Sequence, residues 1–185
     1  VSFAGELGWE IHTRTPDTAA VFDTVWQAGQ AHGLKPFGMY ALNSLRIEKG
    51  YRAWKGDLST DYTLFESGLD RFVNLDKPQD FPGKQTLLVE RQTGPAKRFV
   101  TLIVDADKAD APYMSTLWHD GQIVGETTSG AWGYRVNASV ALGMVRADLA
   151  APGTVLEVEI YGQRHRATVQ PDGPLWDPKN ERLRA

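Results

Sequence analysis

Three stretches of this sequence bring together side chains able to bind a ligand or react. The first is VSFAGELGWEI, residues 1 to 11, which holds two carboxylates, Glu6 and Glu10, among glycines and large apolar residues. Gly5 and Gly8 bracket Glu6 and Leu7, the pattern of a tight turn. The alternation that follows predicts a short strand over residues 9 to 13, with Trp9 and Ile11 on one face and Glu10 and His12 on the other. A carboxylate accepts two parallel N–H donors. An acid beside such a turn therefore suits a ligand with an amidine-like N–C–N edge, such as a pterin or guanine. An alternating strand also places polar residues on its wet face as routine, so the spacing leaves both readings open and Glu6 and Glu10 equally eligible.

The second stretch is GYRAWKGDL, residues 50 to 58, where aromatic and charged residues are interleaved around two glycines. Tyr51 and Trp54 have the faces to stack on a planar ligand, and Lys55 and Asp57 the charges to orient it. The competing reading has Trp54 filling a gap between two domains. The third is GETTSGAWGY, in which Thr127, Thr128 and Ser129 precede Gly130 and Trp132. A glycine-flanked hydroxyl cluster signals close backbone approach to a ligand or another domain. Nothing in it looks catalytic, and it reads as an edge closing over the first half of the chain.

Other constellations are missing. No phosphate-cradling glycine loop precedes a helix, and His12, His32, His119 and His165 lack metal-ligand spacing. Ser44 has no base near it in sequence, and Arg46 and Glu48 read as a solvated or paired helix face. No catalytic residue and no metal ligand is assigned. The chain contains no cysteine, which excludes disulfides and thiolate chemistry. A net charge of −3 over 185 residues gives no electrostatic footprint for nucleic acid or an anionic membrane. No apolar run is long enough to span a bilayer. The opening residue is Val1, not Met, and patterned sequence begins at once, so the expectation is a piece of a longer polypeptide.

The elements that must position these residues fall into two halves. Thr15 as cap, Pro16 in the first turn and Gly33 as stop predict an amphipathic helix with Val21, Phe22, Val25, Trp26 and Gly29 on one face. Gly38 opens a second helix of about ten residues that Gly50 ends. Residues 51 to 83 are irregular, with one plausible strand at 69 to 75, and residues 84 to 91 form a last helix. Thr93-Gly94-Pro95 marks the domain boundary, dividing 1–94 from 95–185. Beyond it, strands are expected at 98–104, 115–119, 122–126, 139–145, 155–160 and 165–169. Asp120-Gly121 and Tyr161-Gly162 serve as turns, a spacing that suggests a small closed barrel. The fold class is α+β: a partial α/β domain, then an antiparallel β-barrel.

Several strings together resemble the glycine-cleavage T-proteins (aminomethyltransferases). FAGELGWEI is similar to their YTGEDGxEI, NSLRIEKG followed by GDL to their DSLRLEAG, and VGETTSGAWGYRVNASVALGMV to their VGxVTSGxxSP with its alanine-leucine-glycine-tyrosine-valine run. The wording KPFGMYALNSLRIEKGYRAWKGDLSTDYT further resembles the folate-binding module at the C-terminus of dimethylglycine and sarcosine dehydrogenases. In those proteins an FAD-binding oxidase part precedes a T-protein-like part.

The resemblance implies that tetrahydrofolate binds and captures a one-carbon unit from a methylated amine donor as 5,10-methylenetetrahydrofolate. It places the pterin-binding acid on Glu10, with Glu6 in support and Phe3 keeping the stacking face of the family's Tyr; Tyr51, Trp54 and Trp132 are then expected as walls or gates. It also implies FAD in an upstream domain, an upstream half of the same polypeptide as partner, and a cytoplasmic location, or the mitochondrial matrix in a eukaryote. Another methyl donor of the dimethylsulfoniopropionate type fits the same class. A non-enzymatic folate-sensing or assembly module with this fold is the rival. Three departures stand out. Leu42 replaces a family Arg, Phe3 replaces a Tyr, and the family's essential Asp belongs to sequence upstream of Val1.

Overall fold

The computed structural model describes residues 2–184. A 3-10 turn, Thr15–Asp17, leads into helix α1, Thr18–Gln30, and α2 follows at Met39–Glu48. The helix begins later than the Thr15 cap implies, because Pro16 sits within the tight turn and Asp17 occupies the N-cap position. Gly50 ends α2 as expected: it adopts φ +65° and its N–H donates to the Ile47 carbonyl at 2.9 Å. Helix α3, Lys84–Thr93, closes the first half.

Two expected strands are not formed. Residues 9–13 form no regular element, and Trp9 is 86% exposed. Residues 69–75 contain a 3-10 turn, Asp70–Phe72, closed by the Val73 N–H on the Asp70 carbonyl. A strand needs a neighbouring backbone to satisfy its N–H and C=O groups, and among the described residues neither segment has one beside it.

The second half is a closed antiparallel barrel. Its strands are β1 (Lys97–Val104), β2 (Thr116–His119), β3 (Gln122–Gly133), β4 (Ala138–Arg146), β5 (Val155–Ile160) and β6 (Gln163–Val169), in the order β1-β4-β3-β2-β5-β6. Pairing of Leu102 with Val169 and Val104 with Ala167 closes the ring. Inward residues such as Leu102, Leu117, Val145, Leu156, Val158 and Val169 fill the interior. Burying such branched side chains contributes about 1.5–3 kcal/mol each.

Strand β4 is apolar on both faces because both are covered. Ala141 and Val145 point into the barrel, while Val140 and Leu142 lie with Ile47 of α2 in a second cluster on the outside. Helix α2 is thereby fixed to the barrel wall. Helix α1 is not: it has no buried residue, and of its stacked Phe22–Trp26 pair Trp26 is half-buried and Phe22 is 62% exposed.

Candidate functional site

The three sequence strings meet where α2 runs onto the barrel. Strand β3 carries a bulge between Thr127 and Ser129. Successive side chains of a regular strand point to opposite faces, but the extra residue of a bulge breaks that alternation. Thr128 and Ser129 consequently both donate to Oδ1 of Asp57, Ser129 at 2.8 Å. The other Asp57 oxygen accepts from Arg46 Nη1 at 2.6 Å and from the Ala53 N–H at 2.7 Å. The rest of the Arg46 fork is spent on Asn43 Oδ1 (2.8 Å), the Tyr51 carbonyl (3.0 Å) and Ser129 Oγ (2.7 Å). Both ions are buried, and each is compensated by charge-assisted hydrogen bonds.

A second set of polar contacts lies at the end of α2. Glu48, fully buried, accepts the N–H groups of Arg135 (2.6 Å) and Val136 (3.2 Å). Lys49 reaches the C-terminal segment, donating to the Asp177 carbonyl at 2.9 Å and Asn180 Oδ1 at 2.8 Å. That segment runs back to the opening turn, where Leu7 N–H donates to the Arg182 carbonyl at 3.1 Å. Glu6 is held between two guanidiniums, Arg135 at 2.8 Å and Arg182 at 3.1 Å.

Beside this framework lies a hollow of about 570 Å³, a size ordinary for small-molecule sites. Phe3 and Tyr51 stack on its wall with centroids 6.4 Å apart and planes 18° from parallel. Leu7, Leu58, Leu69, Phe72 and Leu183 add apolar surface, and Glu6, Arg52 and Arg71 add charge. The Tyr51 hydroxyl is raised above its ordinary pKa by burial and by Asp177, and stays protonated at neutral pH.

Two family models match this chain: the GCVT N-terminal domain over residues 1–77 and the glycine cleavage T-protein C-terminal barrel domain over residues 97–177. The chain belongs to the glycine cleavage T-protein family. Among relatives, it is 40% identical to the mitochondrial dimethylglycine dehydrogenase of Rattus norvegicus over 184 residues, covering 99% of this chain and 22% of that protein. It is 34% identical to the mitochondrial sarcosine dehydrogenase of Mus musculus over 191 residues, covering 100% of this chain and 21% of that one. The chain thus spans about a fifth of the length of these curated relatives. The aminomethyltransferase T structure from Bartonella henselae shares the fold, with a TM-score of 0.77 over 86% of this chain and 45% of that one at 24% identity.

In this T-protein-family chain the six candidate binding residues part company. Phe3, Glu6 and Tyr51 line the same hollow. Glu10 lies at the surface beside His12, at 3.7 Å. Trp54 is 71% exposed and fills no gap between halves among the described residues. Trp132 lines a separate hollow with Asn137, Ser139 and Arg166, and its carbonyl accepts the Ser44 hydroxyl at 2.6 Å. Of the two readings open for Arg46 and Glu48, solvated or paired, the structure gives the paired one: both are buried, Arg46 against Asp57 and Glu48 against Arg135, because α2 packs this face against β3 and β4. Sequence reasoning also passed over Arg52 and Arg71. Arg52 stood within the GYRAWKGDL string, but nothing local tied Arg71 or Leu183 to it. Among the described residues no group of three or more acids or histidines suits a metal ion, and no helix is long and apolar enough to cross a membrane.

Proposed function

We propose that this chain is the tetrahydrofolate-binding region of a longer polypeptide that moves a one-carbon unit from a methylated amine to folate. The observation carrying this reading is a hollow with a stacked Phe3–Tyr51 wall in a T-protein-family chain, 40% identical to a protein named dimethylglycine dehydrogenase. Tetrahydrofolate, when bound, supplies the nitrogens that accept the one-carbon unit.

The chain's own residues bind and orient. Phe3 and Tyr51 offer faces to a planar ring system. Glu10 pairs with the N–H edge of the pterin, and Glu6, neutralised by Arg135 and Arg182, supports the turn that presents it. Trp54 is free to gate the open side, and Trp132, in its separate hollow, is left out of the reading. No residue here is assigned to proton transfer. That role, and FAD, belong in this reading to an upstream part of the polypeptide, which also covers the bare apolar face of α1. The division of this chain into parts falls near Gly94, and the compartment is the cytoplasm, or the mitochondrial matrix in a eukaryote.

The test uses the full polypeptide with dimethylglycine or sarcosine, with and without tetrahydrofolate. The expected result is recovery of the one-carbon unit on folate when folate is present and as free formaldehyde when it is absent. Turnover that leaves only formaldehyde in both cases sinks the reading. Glu10→Gln is expected to weaken tetrahydrofolate about tenfold through loss of a charge-assisted pair.

A further inference from the structure

Arg52 and Arg71 are the charges on the apolar hollow that have no counter-ion. Glu6, the acid on that wall, is already held by Arg135 and Arg182. Both arginines and Tyr51 also line an adjoining polar hollow of about 380 Å³, so they stand where the two spaces meet. The other charges of that second hollow are Lys49, Asp70 and Asp172. Lys49 is taken by Asp177 at 3.5 Å, Asp70 faces Arg98 at 3.9 Å, and Asp172 acts on Arg52 from beyond ion-pair distance. Among the described residues neither Arg52 nor Arg71 has an ion pair or a side-chain hydrogen bond, and Nε of Arg52 is buried without any partner. A buried donor left unmade costs free energy that a ligand acceptor would recover.

The position of Arg52 is built. Its guanidinium lies 4.0 Å from the centroid of the Phe99 ring, and Gly68, at φ +63°, makes room for it. A Cβ at Gly68 would fall 2.8 Å from Nη2. Arg71 lies over Phe72, 4.9 Å from its centroid. Burial lowers the Arg52 pKa below its ordinary value; Asp172 opposes this and Arg71 reinforces it. Two neighbouring guanidiniums with idle donors fit the planar fork of a carboxylate.

We propose that Arg52 and Arg71 form a carboxylate clamp that seats the glutamate end of tetrahydrofolate while its aromatic part lies along Phe3 and Tyr51. The proposal rests on the folate reading above and assigns it a second, anionic subsite. The carboxylate of the amine donor has the same chemistry, but a donor as small as dimethylglycine leaves most of a 570 Å³ apolar hollow unfilled.

The experiment titrates the full polypeptide with tetrahydrofolate and with tetrahydropteroate, which lacks the glutamate, and measures KM for dimethylglycine in parallel. The variants are Arg71→Gln, at an exposed side chain, and Arg52→Lys, which keeps the charge and loses the fork. Wild type is expected to prefer tetrahydrofolate by about tenfold or more. Each variant, with an unchanged circular dichroism spectrum, should narrow that preference to about threefold or less while holding tetrahydropteroate affinity constant. Equal affinity for the two pteridines in wild type overturns the clamp alone. So does an undiminished preference in folded variants, or a rise confined to the dimethylglycine KM. Failure of both pteridines to bind overturns the folate reading and the clamp with it.

Discussion

Arg46 Nη1 and Asp57 Oδ2 lie 2.6 Å apart in an interior closed to water, and this pair ties the helix α2 string to the GDL turn. Ala53 N–H and the hydroxyls of Thr128 and Ser129 complete the carboxylate's partners. Removing one member leaves the other as an uncompensated buried charge, at a cost of about 3–5 kcal/mol. Asp57→Ala should therefore lower the unfolding free energy by that amount in urea titrations. A loss under about 1 kcal/mol would mean that Arg46 is satisfied in another way.

Gly130, just past the bulge, lies tight against the backbone of the segment joining β1 to β2. A Cβ there would sit 2.1 Å from the Ala111 carbonyl oxygen, a backbone atom that side-chain motion cannot clear. Gly130→Ala is expected to destabilise the barrel by about 3 kcal/mol, the range of overpacked cores. Gly38→Ala, where a Cβ meets nothing within 4 Å, should cost under about 1 kcal/mol at this N-cap position. Thermal unfolding of the two variants side by side checks the contrast, and equal losses would contradict it.

The C-terminal segment should loosen in acid. Burial pushes the Asp177 carboxyl up, but the N–H groups of Glu181 and Arg182 and the Lys49 ammonium outweigh it and hold the group below its ordinary value. A carboxyl depressed in the folded state contributes stability above its unfolded pKa and loses it as pH falls through the folded one. The contacts of residues 177–182 are thus expected intact at neutral pH and released below about pH 4. Hydrogen exchange of this segment against pH reads the effect directly. Asp177→Asn should flatten the profile, and an unaltered profile would assign the acid sensitivity to another group.

Phe3 supplies a ring face stacked on Tyr51. Phe3→Ala is expected to weaken tetrahydrofolate binding by about 1 kcal/mol, or roughly fivefold. Phe3→Tyr should keep the affinity within about twofold, because the face is retained. Fluorescence titration distinguishes the two. Equal affinity for Phe3→Ala and wild type would remove this wall from the site.

Local chemistry in the sequence was enough for the barrel and for α2. Asp120-Gly121 and Tyr161-Gly162 specify turns, and the alternation around them specifies strands whose inward residues make the core. Gly38 and Gly50 bound α2 by rules acting within one helical turn. Residues 9–13 and 69–75 had strand-like text but no neighbouring backbone, and pairing is a property of two segments, not one. Which of the two readings held for Arg46 and Glu48, solvated or paired, was equally illegible. A charged helix face is solvated by default, and only the bulge at Thr128, with Asp57 brought 11 residues along the chain, turned it into a buried network. The hollow likewise joins Phe3, Tyr51, Arg71 and Leu183 across nearly the whole chain. Spacing encodes contacts a few residues apart; the tertiary fold alone decides which distant side chains share one space.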